Sequence, residues 1–240
     1  MAYRLVGWPE YVFPAPSHVI RSLVEMMDVS VFTGGRPLLI GPAVSIARLI
    51  VGFAISIALG GILGLLIWRW EELDKLLGPL FLGLQTLPSV CWVPLAILTM
   101  GLNERGILFV LVMGSFFAIA IALRDGLRTI PPIYRQAGLM LGARGWRMYR
   151  YVLLPASLPA MVGALRQGFS FAWRSLMGGE LFFTAVKHHG LGYLLHLGRE
   201  DVNAARVVAV MVVMVVIGMA ADRWAFGVLQ QRVQARFGLG

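Results

Sequence analysis

Residues 49–68 read LIVGFAISIALGGILGLLIW, twenty positions without an Asp, Glu, Lys, Arg or His. As a helix rising about 1.5 Å per residue, such a run matches the roughly 30 Å hydrocarbon core of a bilayer. Upstream, residues 38–47 extend the apolar run past Arg48, giving a first span of about 40–68. Downstream, 79–102, 106–123, 155–185 and 204–221 are four further apolar stretches. The chain is therefore expected to be all-α and polytopic, with about five transmembrane helices. Composition agrees. Apolar residues make up 58% and charged residues 14%, against about 25% charged in an ordinary soluble domain, and the mean hydropathy is +0.77. Five spans of about 20 residues use a large share of the 240 positions. No large soluble domain fits in the rest, and 1–240 reads as a single transmembrane domain with one long loop at 124–154. One cysteine excludes a disulfide framework, and no spaced Cys/His set suggests zinc.

The first 37 residues differ. Trp8, Pro9, Pro14 and Pro16 precede a stretch in which Val19, Ile20, Leu23, Val24 and Met27 suit a short amphipathic surface helix capped by Ser17. No charged segment leads into an apolar one, so no signal peptide is expected.

The net charge of +9 is compatible with nucleic acid, anionic lipid or an anionic solute until the charges are placed. Arg69 and Lys75, six arginines between 124 and 150, and Arg223, Arg232 and Arg236 fall on one side, eleven in all. The opposite side holds Arg4, Arg21, Arg36, Arg105, Lys187 and Arg199, while Arg48, Arg166, Arg174 and Arg206 lie within or beside spans. The positive-inside rule puts the eleven in the cytoplasm, with the N-terminus outside and the C-terminus inside. The excess is then a topology signal and a docking surface, and a nucleic-acid partner loses support. No internal repeat is visible. Gly60 and Gly64 have the spacing that lets helices approach closely, but glycine is also common in any membrane helix.

The 124–150 loop is the most informative segment. After Pro131 and Pro132, the residues Ile133, Ala137, Met140 and Leu141 share one helical face, and Gly142 suits a left-handed stop. Such a helix either lies on anionic lipid or docks into a groove of a cytoplasmic partner.

The sequence Gln136-Ala137-Gly138, three residues, Gly142, nine residues, Val152-Leu153-Leu154-Pro155 resembles the loop motif of binding-protein-dependent ABC importer permeases. That pattern is Glu-Ala-Ala, three residues, Gly, nine residues, Ile-x-Leu-Pro. Ala137, Gly142, Leu154 and Pro155 are identities and Val152 is conservative. Gln136 replaces a charged Glu, and Gly138 replaces Ala, which weakens a helix by up to about 1 kcal/mol. Phe13-Pro14-Ala15-Pro16, Ser45–Leu66, Pro88, Trp92–Leu95, Trp173, Glu180 and Gly190-Leu191-Gly192 resemble the nitrate/sulfonate/taurine/bicarbonate branch, over roughly 12–230. Members of that branch often carry one more N-terminal span.

The resemblance implies a type I permease core in a bacterial cytoplasmic membrane and an alternating-access pathway for a small organic or inorganic anion such as a sulfonate, taurine, nitrate or bicarbonate. It implies a permease homodimer, cytoplasmic ABC ATPase subunits holding ATP and magnesium, and an external solute-binding protein. Gln136, Ala137, Gly138, Gly142, Val152, Leu154 and Pro155 would form the ATPase-coupling segment. The chain has no G-x-x-x-x-G-K-[S/T] of its own, and no cofactor bound directly to it is expected.

Arg166, Trp173 and Glu180 are seven apart, nearly on one face, with Arg174 beside them. Charges at this depth cost at least about 2.5–3.5 kcal/mol and face a wet cavity or each other. They are candidates for the translocation pathway or for structural pairs. Pro88 and Pro94 should bend or break their span and form a second pathway candidate. His188 and His189 are adjacent rather than i, i+4, which argues against a metal site, and Cys91 reads as a packing residue. The competing functions are a membrane enzyme joining Glu180 to His188, His189 or His196, and a membrane scaffold with a basic docking loop.

Overall fold

The computed structural model describes residues 14–27, 37–186 and 189–237. Arg4, Trp8, Pro9, Phe13, Arg36, Lys187 and His188 lie outside the described residues. Among the described residues every regular element is helical: α1 (Pro16–Met27), α2 (Pro37–Arg69), α3 (Glu71–Thr86), a 3-10 turn (Ser89–Trp92), α4 (Val93–Met100), α5 (Glu104–Arg128), α6 (Pro132–Met140), α7 (Trp146–Met148), α8 (Leu154–Phe182), α9 (Leu191–Glu200), α10 (Ala204–Ala221) and α11 (Val228–Phe237). Two π-helical turns, Tyr149–Leu153 and Asp222–Gly227, join α7 to α8 and α10 to α11.

Among the described residues, three helical stretches are long and apolar enough to cross a membrane, Leu39–Arg69, Glu104–Arg128 and Ala204–Val233, and a bent pair, Glu71–Thr86 with Ser89–Met100, makes a fourth if taken as one span. The expected stretch at 155–185 is one helix of 29 residues, α8, but it carries Arg166, Arg174 and Glu180 and is not among the four.

Several boundaries move. The gap between the expected spans 40–68 and 79–102 shrinks to Trp70, because Glu71, Glu72 and Asp74 fill the first turn of α3, where the helix dipole favours acids. Pro79 therefore lies inside α3 instead of opening it. The break falls at Leu87–Pro88, where Leu87 is extended as a residue before proline must be. Pro94 does not break a helix. It sits in the first turn of α4, where its missing N–H costs nothing. The first five residues of the 124–154 loop belong to α5, and beyond the expected end of the last span at 221 the chain continues as helix to Phe237.

The chain forms two compact units. In the unit made of Met1–Gly52, Ser89–Leu111 and Trp173–Ala220, Met26 of α1 packs with Leu191 and Leu194 of α9 and Ala209, Val210 and Met214 of α10. The expected apolar face of α1 is split. Val19 and Leu23 reach this core, with Ser22 and Met26 buried beside them, whereas Ile20, Val24 and Met27 are exposed. The helix opens at Pro16, and the N–H groups of His18 and Val19 donate to the Ala15 carbonyl, so the start is set by proline and backbone, not by the expected Ser17 cap.

In the unit made of Phe53–Pro88, Val112–Ala172 and Ala221–Gly240, α2 and α5 meet almost backbone to backbone. A Cβ on Gly60 would lie 2.6 Å from the Phe116 carbonyl oxygen, and one on Gly64 2.7 Å from that of Ala120. The Gly60–Gly64 spacing is therefore a contact stripe. Ser115 Oγ donates to Ser56 Oγ at 2.7 Å across the same interface. Phe53, Phe169 and Phe226 form an edge-and-tilt aromatic group, and Asp74 receives Arg124 (3.0 Å) and Arg128 (2.8 Å).

Candidate functional site

Ser45 and Arg48 stand three apart on α2, so they share a face. That face meets Glu180 near the C-terminal end of α8. Ser45 Oγ lies 2.9 Å from Oε1 and 2.8 Å from Oε2 of Glu180 and donates into that fork. Arg48 Nη1 donates to Oε1 at 2.8 Å, and the Gly192 N–H donates to Oε2 at 3.0 Å. The Leu191 N–H in turn donates to Ser45 Oγ at 2.9 Å. Leu191 and Gly192 begin α9, so the positive end of that helix faces the carboxylate. The other edge of the Arg48 guanidinium forks onto Glu104, with Nε 2.7 Å from Oε2 and Nη2 2.6 Å from Oε1. Glu104 opens α5, a second helix N-terminus. Glu180 is 1% exposed, Arg48 6% and Glu104 42%.

The Gly190-Leu191-Gly192 sequence makes this approach possible. A Cβ on Gly190 would fall 2.3 Å from the Glu180 oxygens, and one on Gly192 2.5 Å from the Glu180 Cβ and 2.9 Å from its backbone carbonyl carbon. Gly192→Ala is therefore expected to lower stability by about 1–3 kcal/mol, read as a fall in the Tm of the purified protein. An unchanged Tm would contradict the contact.

The other expected residues are distributed as follows. Arg166 is held by Asp222 through a bidentate fork (2.8 and 2.7 Å) and by Gln230 at 3.0 Å. This pairing also shows why the helix runs on past 221: Asp222 begins the π turn and Gln230 lies on α11. Trp173 is partly buried on the α9–α10 core, its indole edge over Gly218. Arg174, Pro88 and Pro94 are exposed. His189 stacks on Tyr193 at 3.7 Å, and His196 lies 3.0 Å from Glu200.

The loop segment is built differently. α6 covers Pro132–Met140, one residue from the expected bounds, and Gly142 adopts φ +78°, the left-handed stop that its type allows. Ile133, Met140 and Leu141 are 66%, 88% and 87% exposed, an apolar ridge with no cover among the described residues. Gln136 and Ala137 are exposed with them. Gly138 is buried, because a Cβ there would meet Met148 Sδ at 2.9 Å and Val152 at 3.0 Å. Glycine in place of alanine thus lets the α7 turn close onto α6. The π turn then feeds Leu154 and Pro155 without interruption into α8.

Residues 52–235 match the family of binding-protein-dependent transport system inner membrane components. The chain belongs to this family. The permease is 32% identical over 216 residues to an ABC transporter permease protein of Methanocaldococcus jannaschii, covering 88% of this chain and 78% of that one. It is 24% identical to the nitrate import permease NrtB of Synechocystis sp. (88% and 77% covered) and 24% identical to the bicarbonate transport permease CmpB of Synechococcus elongatus (75% and 64%). The MetNI methionine ABC transporter, in an inward-facing conformation, superposes with a TM-score of 0.67 at 21% identity over 82% of this chain and 96% of that chain, a likeness of fold. The permease is a multi-pass transport protein, not a member of a catalytic family.

Sequence reading singled out Glu180 but missed its partners. The signal was present: an intramembrane carboxylate needs a cation, and Arg48 is the basic residue interrupting the first span.

Proposed function

We propose that the permease is the membrane subunit of an ATP-driven importer, working as a homodimer with two cytoplasmic ABC ATPases that bind ATP and magnesium, and with an external solute-binding protein. The whole chain, 1–240, acts as one transmembrane domain with its C-terminus in the cytoplasm. The observation that carries this reading is the uncovered ridge of α6 joined, through Gly142 and the Val152–Pro155 sequence, to the 29-residue α8. A groove on the ATPase receives Ile133, Met140 and Leu141. ATP closes the ATPases, α6 moves, and the turn at 146–155 passes that motion to α8, shifting the dimer between outward and inward openings. Gln136, which lacks the charge of Glu, leaves docking to apolar contact.

The transported solute is a small anion, a reading supported by the nitrate and bicarbonate relatives. Within the candidate pathway set, Arg166 and Glu180 act as positioning groups, because their polar atoms are engaged by Asp222 and Gln230 and by Ser45, Arg48 and Gly192. Trp173 supports α8 against Gly218, and the exposed Arg174, Pro88 and Pro94 are each left as candidates to meet the solute.

The test is co-purification with a cognate ABC ATPase, and solute-stimulated ATP hydrolysis in proteoliposomes. Gly142→Asp, or deletion of 135–141, should abolish both while the permease still reaches the membrane. Retained binding with coupled hydrolysis would remove the basis for the docking role.

A further inference from the structure

Behind the α6 ridge lies a groove of ≈ 840 Å³. Arg69, Arg135 and Arg144 line it, with Trp68, Tyr149 and Leu139, and no carboxylate among the described residues does. The contrast with neighbouring cations is sharp. Arg124 and Arg128 are paired with Asp74 and Asp125, whereas no ion pair among the described residues engages Arg69, Arg135 or Arg144. Three guanidiniums lining one groove without a carboxylate among the described residues repel one another, so the groove favours an anion.

Its chemistry is set by position. Trp68 and Arg69 close the apolar stretch Leu39–Arg69, which places the groove at a membrane surface, where tryptophan and arginine prefer to sit. Its walls are aromatic and aliphatic as well as basic. A free inorganic anion would leave those walls wet, but a phosphodiester carrying a glycerol backbone and acyl chains would cover them. At about 100° per residue, Pro132, Arg135 and Leu139 lie roughly 130° around α6 from Ile133, Ala137 and Met140. The groove therefore stays open when the ridge is docked.

We infer that this groove binds the headgroup of an anionic phospholipid, its phosphate held by Arg69, Arg135 and Arg144, between the end of α2 and the back of α6. The site stands apart from the ATPase reading, since its test needs only the permease. The full chain in detergent is titrated with short-chain phosphatidylglycerol, short-chain phosphatidylcholine and inorganic phosphate, and binding is read from the rise in Tm. Phosphatidylglycerol should bind at least tenfold more tightly than either of the others. The R69Q/R135Q/R144Q variant should lose that tenfold, and R147Q/R150Q, which removes two exposed cations of the same loop outside the groove, should keep it. Equal losses in the two variants would reduce the effect to diffuse charge and overturn the site. Equal protection by inorganic phosphate would overturn the lipid assignment. Native mass spectrometry of the unaltered chain gives a reading free of any folding defect: preferential retention of phosphatidylglycerol supports the site, and equal retention of phosphatidylcholine overturns it.

Discussion

Arg48→Met should destabilise the permease by about 3–5 kcal/mol, the cost of leaving a buried charge without its partner. The guanidinium is the single cation between Glu104 and Glu180 in this cluster, with 2.6 and 2.7 Å contacts to the first and a 2.8 Å contact to the second. Ser45 and Gly192 can still hydrogen-bond Glu180 after the substitution, but neither carries charge. Arg48→Lys should fall between, because an ammonium cannot fork onto Glu104 while also reaching Glu180. Adding Glu180→Gln to Arg48→Met should recover part of the loss, since the orphaned charge is then gone and the two effects are coupled. Thermal unfolding of the four proteins in one detergent checks this order. Arg48→Met at wild-type stability would contradict the described cluster.

The second large effect is at the α2–α5 contact. Gly60→Leu and Gly64→Leu each place atoms against backbone at 2.6 and 2.7 Å, so no side-chain rotation can relieve the overlap. Overpacking usually costs about 1–3 kcal/mol, and a clash with a neighbouring helix backbone belongs at or above the top of that range. The paired variant should fail to accumulate as folded protein. Gly61→Leu is the control. Its Cβ meets nothing within 4 Å, and it should match wild type in yield and in elution on size exclusion. Similar behaviour of all three would show that the stripe does not hold α2 to α5.

How far the sequence anticipates this structure depends on the range of the interaction. Hydrophobic runs mark α2, α5 and α10 because each is a property of one helix against lipid. The α6 bounds and the Gly142 stop were legible because proline and glycine act on their own backbone. The Gly60–Gly64 spacing was visible, but one helix alone could not distinguish a contact stripe from ordinary glycine usage; the Ala120 backbone decides it. The start of α3 was missed because its acidic first turn looks like a polar loop until the helix dipole is considered. The continuation into α11 was missed because Asp222 and Arg223 look like the end of a span. The fork between Asp222 and Arg166, 56 residues away, holds that continuation in place. Glu180 was recognised, but its cation lies 132 residues earlier, beyond any periodicity.

That distance bears on how the permease is made. Arg48 leaves the ribosome 132 residues ahead of Glu180, roughly 7–26 s at usual elongation rates. During this interval α2 resides at the translocon with a cation whose other carboxylate in the finished cluster, Glu104, emerges 56 residues on. α8, which carries its own charges, arrives after both. Its entry into the bilayer is favoured by a guanidinium already waiting there, so the order of synthesis makes the first span a chaperone for the fourth long helix of the chain.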